Sequence, residues 1–200
     1  MKLGLFGGSF DPIHRGHIEP VREARRALGL DRVIYLPTAK PPHKPKRAFA
    51  PAHARYAMVE MALLDEEGLQ ASAHELSLDR PSYTIETLEH FRREMPEADL
   101  HLLIGGDSFA DFHHWFRFRE IAQEARLVVL TRPGWDLETA ALDPEVARLA
   151  LSGRVHLLKQ PPVDVSSTLV RERLAAGEPL PAGALPDLVV RYVQKYRLYR

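Results

Sequence analysis

Leu3-Gly4-Leu5-Phe6-Gly7-Gly8-Ser9-Phe10-Asp11-Pro12-Ile13-His14-Arg15-Gly16-His17 is the stretch on which the reading of the fold turns. A short apolar run over residues 2–6 stops at two glycines, which predicts a buried strand and then a tight turn. A helix is expected from about residue 16 to residue 28. Ile18, Val21, Ala24 and Leu28 recur there at helical spacing, Glu19, Arg22, Glu23, Arg25 and Arg26 turn outward, and Gly29 stops the helix. Residues 32–36, Arg-Val-Ile-Tyr-Leu, read as a second strand. Strand, glycine turn, helix and strand in that order open an α/β fold, a parallel sheet with helices on both faces.

The alternation continues outward from this start. Helices are expected over residues 52–64 (Tyr56, Val59 and Leu63 inward), 83–95, 117–124, 137–151, 168–176 and 186–196. Strands are expected over residues 69–73, 100–104, 127–130 and 155–158. No repeat, low-complexity tract or linker divides the 200 residues, so one doubly wound domain over residues 1–200 is the expectation. In such sheets ligands bind beyond the carboxyl ends of the strands, where strand order reverses. Phe6-Gly7-Gly8, Leu36-Pro37-Thr38 and Ile104-Gly105-Gly106-Asp107 are all expected on that edge.

Composition narrows the function classes. The chain is 45% hydrophobic and 27% charged, ordinary values for a globular protein. No apolar run approaches the roughly 18 residues of a membrane span, and the first apolar stretch is too short for a signal peptide, so the cytoplasm is the expected location. The absence of cysteine excludes disulfides, thiolate metal sites and cysteine nucleophiles. A formal net charge of zero gives no overall basic footprint for nucleic acid, whereas local basic clusters suit small phosphorylated ligands. The chain lacks asparagine and has 16 prolines; a thermophilic origin and a GC-rich genome both give that bias, and both stay open.

Two segments carry candidate chemistry. In residues 7–17 the glycines allow close backbone approach, and the following helix start attracts phosphate through open N–H groups and its dipole. His14 and His17, three apart, share a face if both lie in the first turn, and two imidazoles aimed at one point donate hydrogen bonds to a phosphate gaining charge. A zinc pair is the rival reading of His-x-x-His, but no convincing set of further ligands accompanies it. In residues 165–171, Val-Ser-Ser-Thr-Leu-Val-Arg, hydroxyls at a helix cap and a guanidinium suit a triphosphate. A plain helix cap with a solvated arginine is the bland alternative.

The first string, Gly-Gly-Ser-Phe-Asp-Pro-Ile-His-Arg-Gly-His, resembles the signature of the HIGH-motif nucleotidyltransferases, and its form is similar to that of the bacterial nicotinate-nucleotide adenylyltransferases. The resemblance runs over essentially the whole chain. It implies a Rossmann-like fold and transfer of AMP from ATP to nicotinate mononucleotide, giving nicotinate adenine dinucleotide and pyrophosphate in NAD biosynthesis, with Mg²⁺ accompanying ATP. Catalytic roles fall by resemblance on His14, His17 and Arg171. ATP contacts fall on Gly7, Gly8, Ser9, Phe10, His14, His17, Gly105, Asp107, Arg132, Ser166, Ser167, Thr168 and Arg171. Contacts to the mononucleotide fall on Ser9, on Lys40, His43 and Lys44 of a basic proline loop, on Thr84 in Pro-Ser-Tyr-Thr (residues 81–84), on Asp107, and on Trp115, whose face suits a pyridine ring. No protein metal ligand, nucleic-acid partner or membrane partner is implied, and self-association into a homo-oligomer is left open. A sister transferase using another acceptor and a non-catalytic nucleotide-binding module are the alternatives.

Overall fold

The computed structural model describes residues 1–39, 49–78, 80–131, 134–136 and 142–200. Its strands are β1 (Lys2–Gly8), β2 (Arg32–Pro37), β3 (Leu69–Ala71), β4 (Asp99–Gly105), β5 (Arg126–Thr131) and β6 (Val155–Lys159). Its helices are α1 (Arg15–Leu28), α2 (Ala52–Leu63), α3 (Thr84–Glu94), α4 (Gly106–Ala110), α5 (Phe118–Glu124), α6 (Pro144–Ala150), α7 (Ser167–Ala176) and α8 (Asp187–Lys195). The strands form one sheet in the order β3-β2-β1-β4-β5-β6. This is the doubly wound, Rossmann-like α/β order, and it reverses between β1 and β4, where such folds bind their ligands. Two glycine pairs stand at the reversal: Gly7-Gly8 ends β1, and Gly105-Gly106 passes from β4 into α4.

The chain clusters into two compact units, each assembled from three stretches of sequence. One comprises Met1–Gly7, Glu23–Val33 and Tyr83–Pro162, the other Gly8–Arg22, Ile34–Ser82 and Val163–Arg200. In the first, β1, β4, β5 and β6 pair in parallel, with Leu3 opposite Leu100, Leu103 opposite Val128 and Val129 opposite Leu157. Leu127, Val128 and Val129 are fully buried, as the unbroken apolar run of a strand covered on both faces requires. Helices α3 and α5 pack together, burying Leu88, Phe91 and Ile121. Arg92 donates to the carbonyl of Ala98 just before β4 (2.6 Å) and to that of Glu124 at the end of α5 (3.2 Å).

In the second unit α2 packs on β3 and α8. Its buried side chains are Ala54, Arg55, Met58, Val59, Ala62 and Leu63. Tyr56, expected inward, is only half-buried, and the inward place goes to Arg55 because three backbone carbonyls receive its guanidinium. Arg22 of α1 forms an ion pair with Glu66, its Nε donating over 2.9 Å.

Several expected boundaries shift. The strand expected over residues 2–6 runs on through both glycines to Gly8, so the chain turns after them. Of the helix expected over residues 137–151, the structure describes Pro144–Ala150; residues 137–141 lie outside the described residues. Asp143 caps this helix, its carboxylate accepting the Glu145 N–H at 2.8 Å, and Pro144 stands at the first helical position, a start signal that apolar spacing alone overlooks. The helix expected from residue 117 begins at Phe118, because Arg117 adopts the left-handed conformation (φ 55°). The strand expected over residues 69–73 ends at Ala71. Helix α4 and two 3-10 turns, His74–Ser77 and Phe112–His114, are too short to leave a periodic trace in the sequence. Among the described residues no helix is long and apolar enough to cross a membrane.

Candidate active site

The turn after β1 is shaped by what its side chains fill. Around Gly7 a Cβ would meet nothing within 4 Å, so this backbone lies open. At Gly8 a Cβ would come within 2.9 Å of the Phe10 ring. Phe10 is almost fully buried and packs against Tyr35 (5.6 Å between ring centroids) and edge-on to His17 (5.2 Å). Gly8 therefore makes room for an aromatic wedge under the turn, and Gly7 is the glycine that leaves the chain exposed.

The two histidines lie together at the start of α1. Their ring centroids are 3.7 Å apart. The His14 backbone N–H donates to His17 Nδ1 (3.3 Å), and the His17 N–H donates to the His14 carbonyl (2.8 Å). Because His17 Nδ1 accepts, the proton of the neutral ring belongs on Nε2, which makes Nε2–H the donor. Tyr35, fully buried, donates its hydroxyl to the His17 carbonyl (2.9 Å); burial raises its pKa well above the phenol value, so it stays a donor. At Gly16 a Cβ would sit 3.0 Å from His14 Nδ1 and 3.1 Å from Cε1. The glycine between the histidines thus makes space for the first imidazole, which is 3% exposed.

The second motif meets the first. Ser166 caps α7, its Oγ accepting the Leu169 N–H at 3.1 Å. Ser167 Oγ donates to the Pro12 carbonyl (3.0 Å). Arg171 Nη1 donates to the Asp11 carbonyl (2.7 Å), and Nη2 to Thr168 Oγ1 (3.0 Å). Segments some 155 and 160 residues apart in sequence are thereby fastened together through side chains singled out from the sequence.

Three residues that frame this turn carry no role in the sequence reading. Asp11 and Arg55 are each 1% exposed. Arg55 donates from Nη1 to the Ser9 carbonyl (2.6 Å), from Nε to Ala50 (3.0 Å) and from Nη2 to Ala39 (3.3 Å). The Asp11 carboxylate accepts the Ala50 N–H (3.1 Å) and the Tyr199 hydroxyl (2.8 Å). Burial pulls the Arg55 pKa down, while the charge of Asp11 pushes it back up. Asp11 stands inside the first motif, but neither Arg55 nor Tyr199 has a local signal; their partners on the turn lie 46 and 188 residues away.

The remaining described candidates stand in the other unit. Thr84 is the first residue of α3, after an extended Tyr83. Gly105 caps α4, and Asp107 lies in its first turn. Trp115 is half-buried and tilted against Phe112 (5.4 Å). The residues beside Thr84 and Trp115 are in contact: the Tyr83 and Phe116 rings pack at 4.9 Å, and Arg117 pairs with Glu89 of α3 at 3.0 Å. A Cβ on Gly106 would fall 2.8 Å from the Trp135 ring, so a second tryptophan, absent from the expected site, lies on the glycine turn after β4. Lys40, His43, Lys44 and Arg132 lie outside the described residues.

An open glycine turn, a histidine pair at a helix start and a hydroxyl-capped helix bearing arginine, on a sheet of this order, define a nucleotide-handling α/β protein. The family model described as Cytidylyltransferase-like matches residues 5–173, and the chain belongs to that family. Full-length curated relatives carry the name probable nicotinate-nucleotide adenylyltransferase. A "probable nicotinate-nucleotide adenylyltransferase" of Clostridium tetani is 36% identical over 199 residues, covering 100% of this chain and 99% of that protein. One of the same name from Gloeobacter violaceus is 39% identical over 202 residues, covering 99% and 96%. Among solved structures, nicotinic acid mononucleotide adenylyltransferase of Plasmodium falciparum complexed with NaAD shares the fold with a TM-score of 0.78 at 16% identity, covering 99% of this chain and 97% of that one.

Proposed function

We propose that this chain is an adenylyltransferase that moves AMP from MgATP to nicotinate mononucleotide, forming nicotinate adenine dinucleotide and pyrophosphate for NAD biosynthesis, with residues 1–200 working as one catalytic domain. The observation that carries the reading is the fastening of Ser167 and Arg171 to the Pro12 and Asp11 carbonyls, which joins the two helix starts beside one open turn. Full-length relatives of that name support the substrate assignment.

A phosphate oxygen of the mononucleotide attacks the α-phosphorus of ATP in line. The new P–O bond forms as the bond to the bridging α,β-oxygen breaks, and pyrophosphate departs with that electron pair. The attacking group is already an anion, so no side-chain nucleophile is needed, and the protein supplies alignment and charge stabilisation. His17 Nε2–H donates toward the α-phosphate as its charge shifts, and His14 supports the same region. Gly7, Gly8, Ser9 and Phe10 form the turn beneath the nucleotide. Ser166, Ser167, Thr168 and Arg171 hold the β- and γ-phosphates. Mg²⁺ would enter with the triphosphate, neutralising its charge and keeping much of its water.

On the acceptor side, the start of α3 at Thr84 favours a carboxylate over a neutral amide, and Trp115 offers a stacking face for the ring. Asp107, Lys40, His43 and Lys44 are assigned to the mononucleotide, and Gly105, Asp107 and Arg132 to ATP.

Incubation of the protein with MgATP and either nicotinate or nicotinamide mononucleotide, followed by mass analysis, tests the activity. Nicotinate adenine dinucleotide with stoichiometric pyrophosphate is the expected product, with a higher kcat/KM for the acid. Equal kcat/KM for the two would remove the carboxylate argument at Thr84. No dinucleotide from either, with turnover on a pantetheine phosphate or a cytidylyl substrate, would reassign the enzyme to a sister transferase. Tight nucleotide binding without pyrophosphate would make it a non-catalytic module.

A further inference from the structure

Asp11 is the residue of the glycine turn with the most unexpected partners. Its backbone carbonyl takes Arg171 Nη1 at 2.7 Å. One oxygen of its buried carboxylate takes both the Ala50 N–H at 3.1 Å and the hydroxyl of Tyr199 at 2.8 Å. Tyr199 is the next-to-last residue, and the tail bends sharply to bring it there: Arg197 and Tyr199 have φ of 50° and 65°, in the left-handed region that side chains disfavour. Such a conformation persists where surrounding contacts over-determine it. Leu198 N–H donates to the Val193 carbonyl (3.1 Å), closing the end of α8 so that Tyr199 can reach the turn. Arg55 lies on the same turn, with Nη1 on the Ser9 carbonyl at 2.6 Å.

We infer that Tyr199 is a positioning residue for nucleotidyl transfer: through its hydroxyl bond to the Asp11 carboxylate it sets the backbone of residues 9–12 against Arg171. The inference rests on the adenylyltransferase reading. A charge-assisted hydrogen bond to a buried carboxylate is among the stronger side-chain contacts, and losing it removes one of the donors that hold this carboxylate in place. The Asp11 backbone is where the Arg171 guanidinium is oriented, so a shift there moves a phosphate-binding group without touching it. Burial and the neighbouring Asp11 charge push the Tyr199 phenol well above its ordinary range, so it remains a donor throughout the working pH range.

Tyr199→Phe removes only the hydroxyl. Steady-state pyrophosphate release is measured over a range of concentrations of each substrate, up to saturation, for the wild type, Tyr199→Phe, Asp11→Asn, the double variant, and Arg200→Ala as a tail control at an exposed residue. The wild type must first form dinucleotide; if it does not, the parent reading fails, and that failure is separate from this one. Given activity, Tyr199→Phe is expected to lower kcat on the order of tenfold, with KM for both substrates within about twofold, since small misplacements cost rate rather than binding. Because Tyr199 acts through Asp11, the double variant is expected to lose no more than Asp11→Asn alone, whereas independent sites would multiply their losses. Arg200→Ala should match the wild type. A Tyr199→Phe variant with kcat within twofold of the wild type, or losses that multiply in the double variant, would overturn the inference. So would a kcat loss that vanishes once activity is normalised to folded protein by near-UV circular dichroism, which would make the contact one of stability alone.

Discussion

The glycine turn with the start of α7, and the region around Thr84 and Trp115, are held by different forces. The first is a polar weld: Ser167, Arg171, Arg55 and Tyr199 all bond to residues 9–12 over 2.6–3.0 Å, around a carboxylate and a guanidinium that are each 1% exposed. The second is joined by rings and surface ion pairs: Tyr83 on Phe116, Trp115 on Phe112, Arg117 with Glu89. Directional bonds to a buried backbone fix positions to fractions of an ångström, as aligning a phosphorus for in-line attack requires. Ring packing is tolerant of small shifts and suits recognition of a flat group by area. On the proposed function, chemistry falls to the weld and acceptor affinity to the rings.

That division has consequences of graded size. His17→Ala should reduce kcat by roughly 10² or more, the usual worth of one charge-stabilising donor, measured as pyrophosphate release at saturation; near wild-type turnover would take catalysis away from the turn. Gly16→Ala, in contact with no substrate, should cost on the order of tenfold in kcat by displacing the His14 ring that lies 3.0 Å from the new Cβ. Full activity there would mean that the imidazole pair tolerates looseness and that the weld is not what matters. Trp115→Ala should raise KM for nicotinate mononucleotide by about 2- to 10-fold, the range of a lost stacking contact, and leave KM for ATP and kcat nearly unchanged. A fall in kcat without a change in KM would erase the distinction between the regions.

The parts of this arrangement written locally are legible in the sequence. Both helix starts, the glycine turns and most of the long elements follow from apolar spacing and stop signals within a few residues. His14, His17, Ser167 and Arg171 stand inside short motifs whose residue types already point to phosphate chemistry. What escapes depends on distance. Arg55 sits in the first turn of α2, where periodicity points to Tyr56, and nothing near it tells that the carbonyls of residues 9 and 39 join that of Ala50 in receiving it. Tyr199 belongs to a tail whose partner is 188 residues earlier. Trp135 lies against Gly106, so that glycine makes room for a ring whose packing no local signal announces. The Asp143-Pro144 helix start is written plainly in the chain, but as a cap signal and not in the apolar spacing.

A crystal structure of the chain with a non-hydrolysable ATP analogue addresses the central claim most directly. The α-phosphate should lie within hydrogen-bond reach of His17 Nε2, while the β- and γ-phosphates of the same molecule contact Arg171 and the start of α7. An analogue that touched only one of the two segments, or bound away from both, would contradict the account.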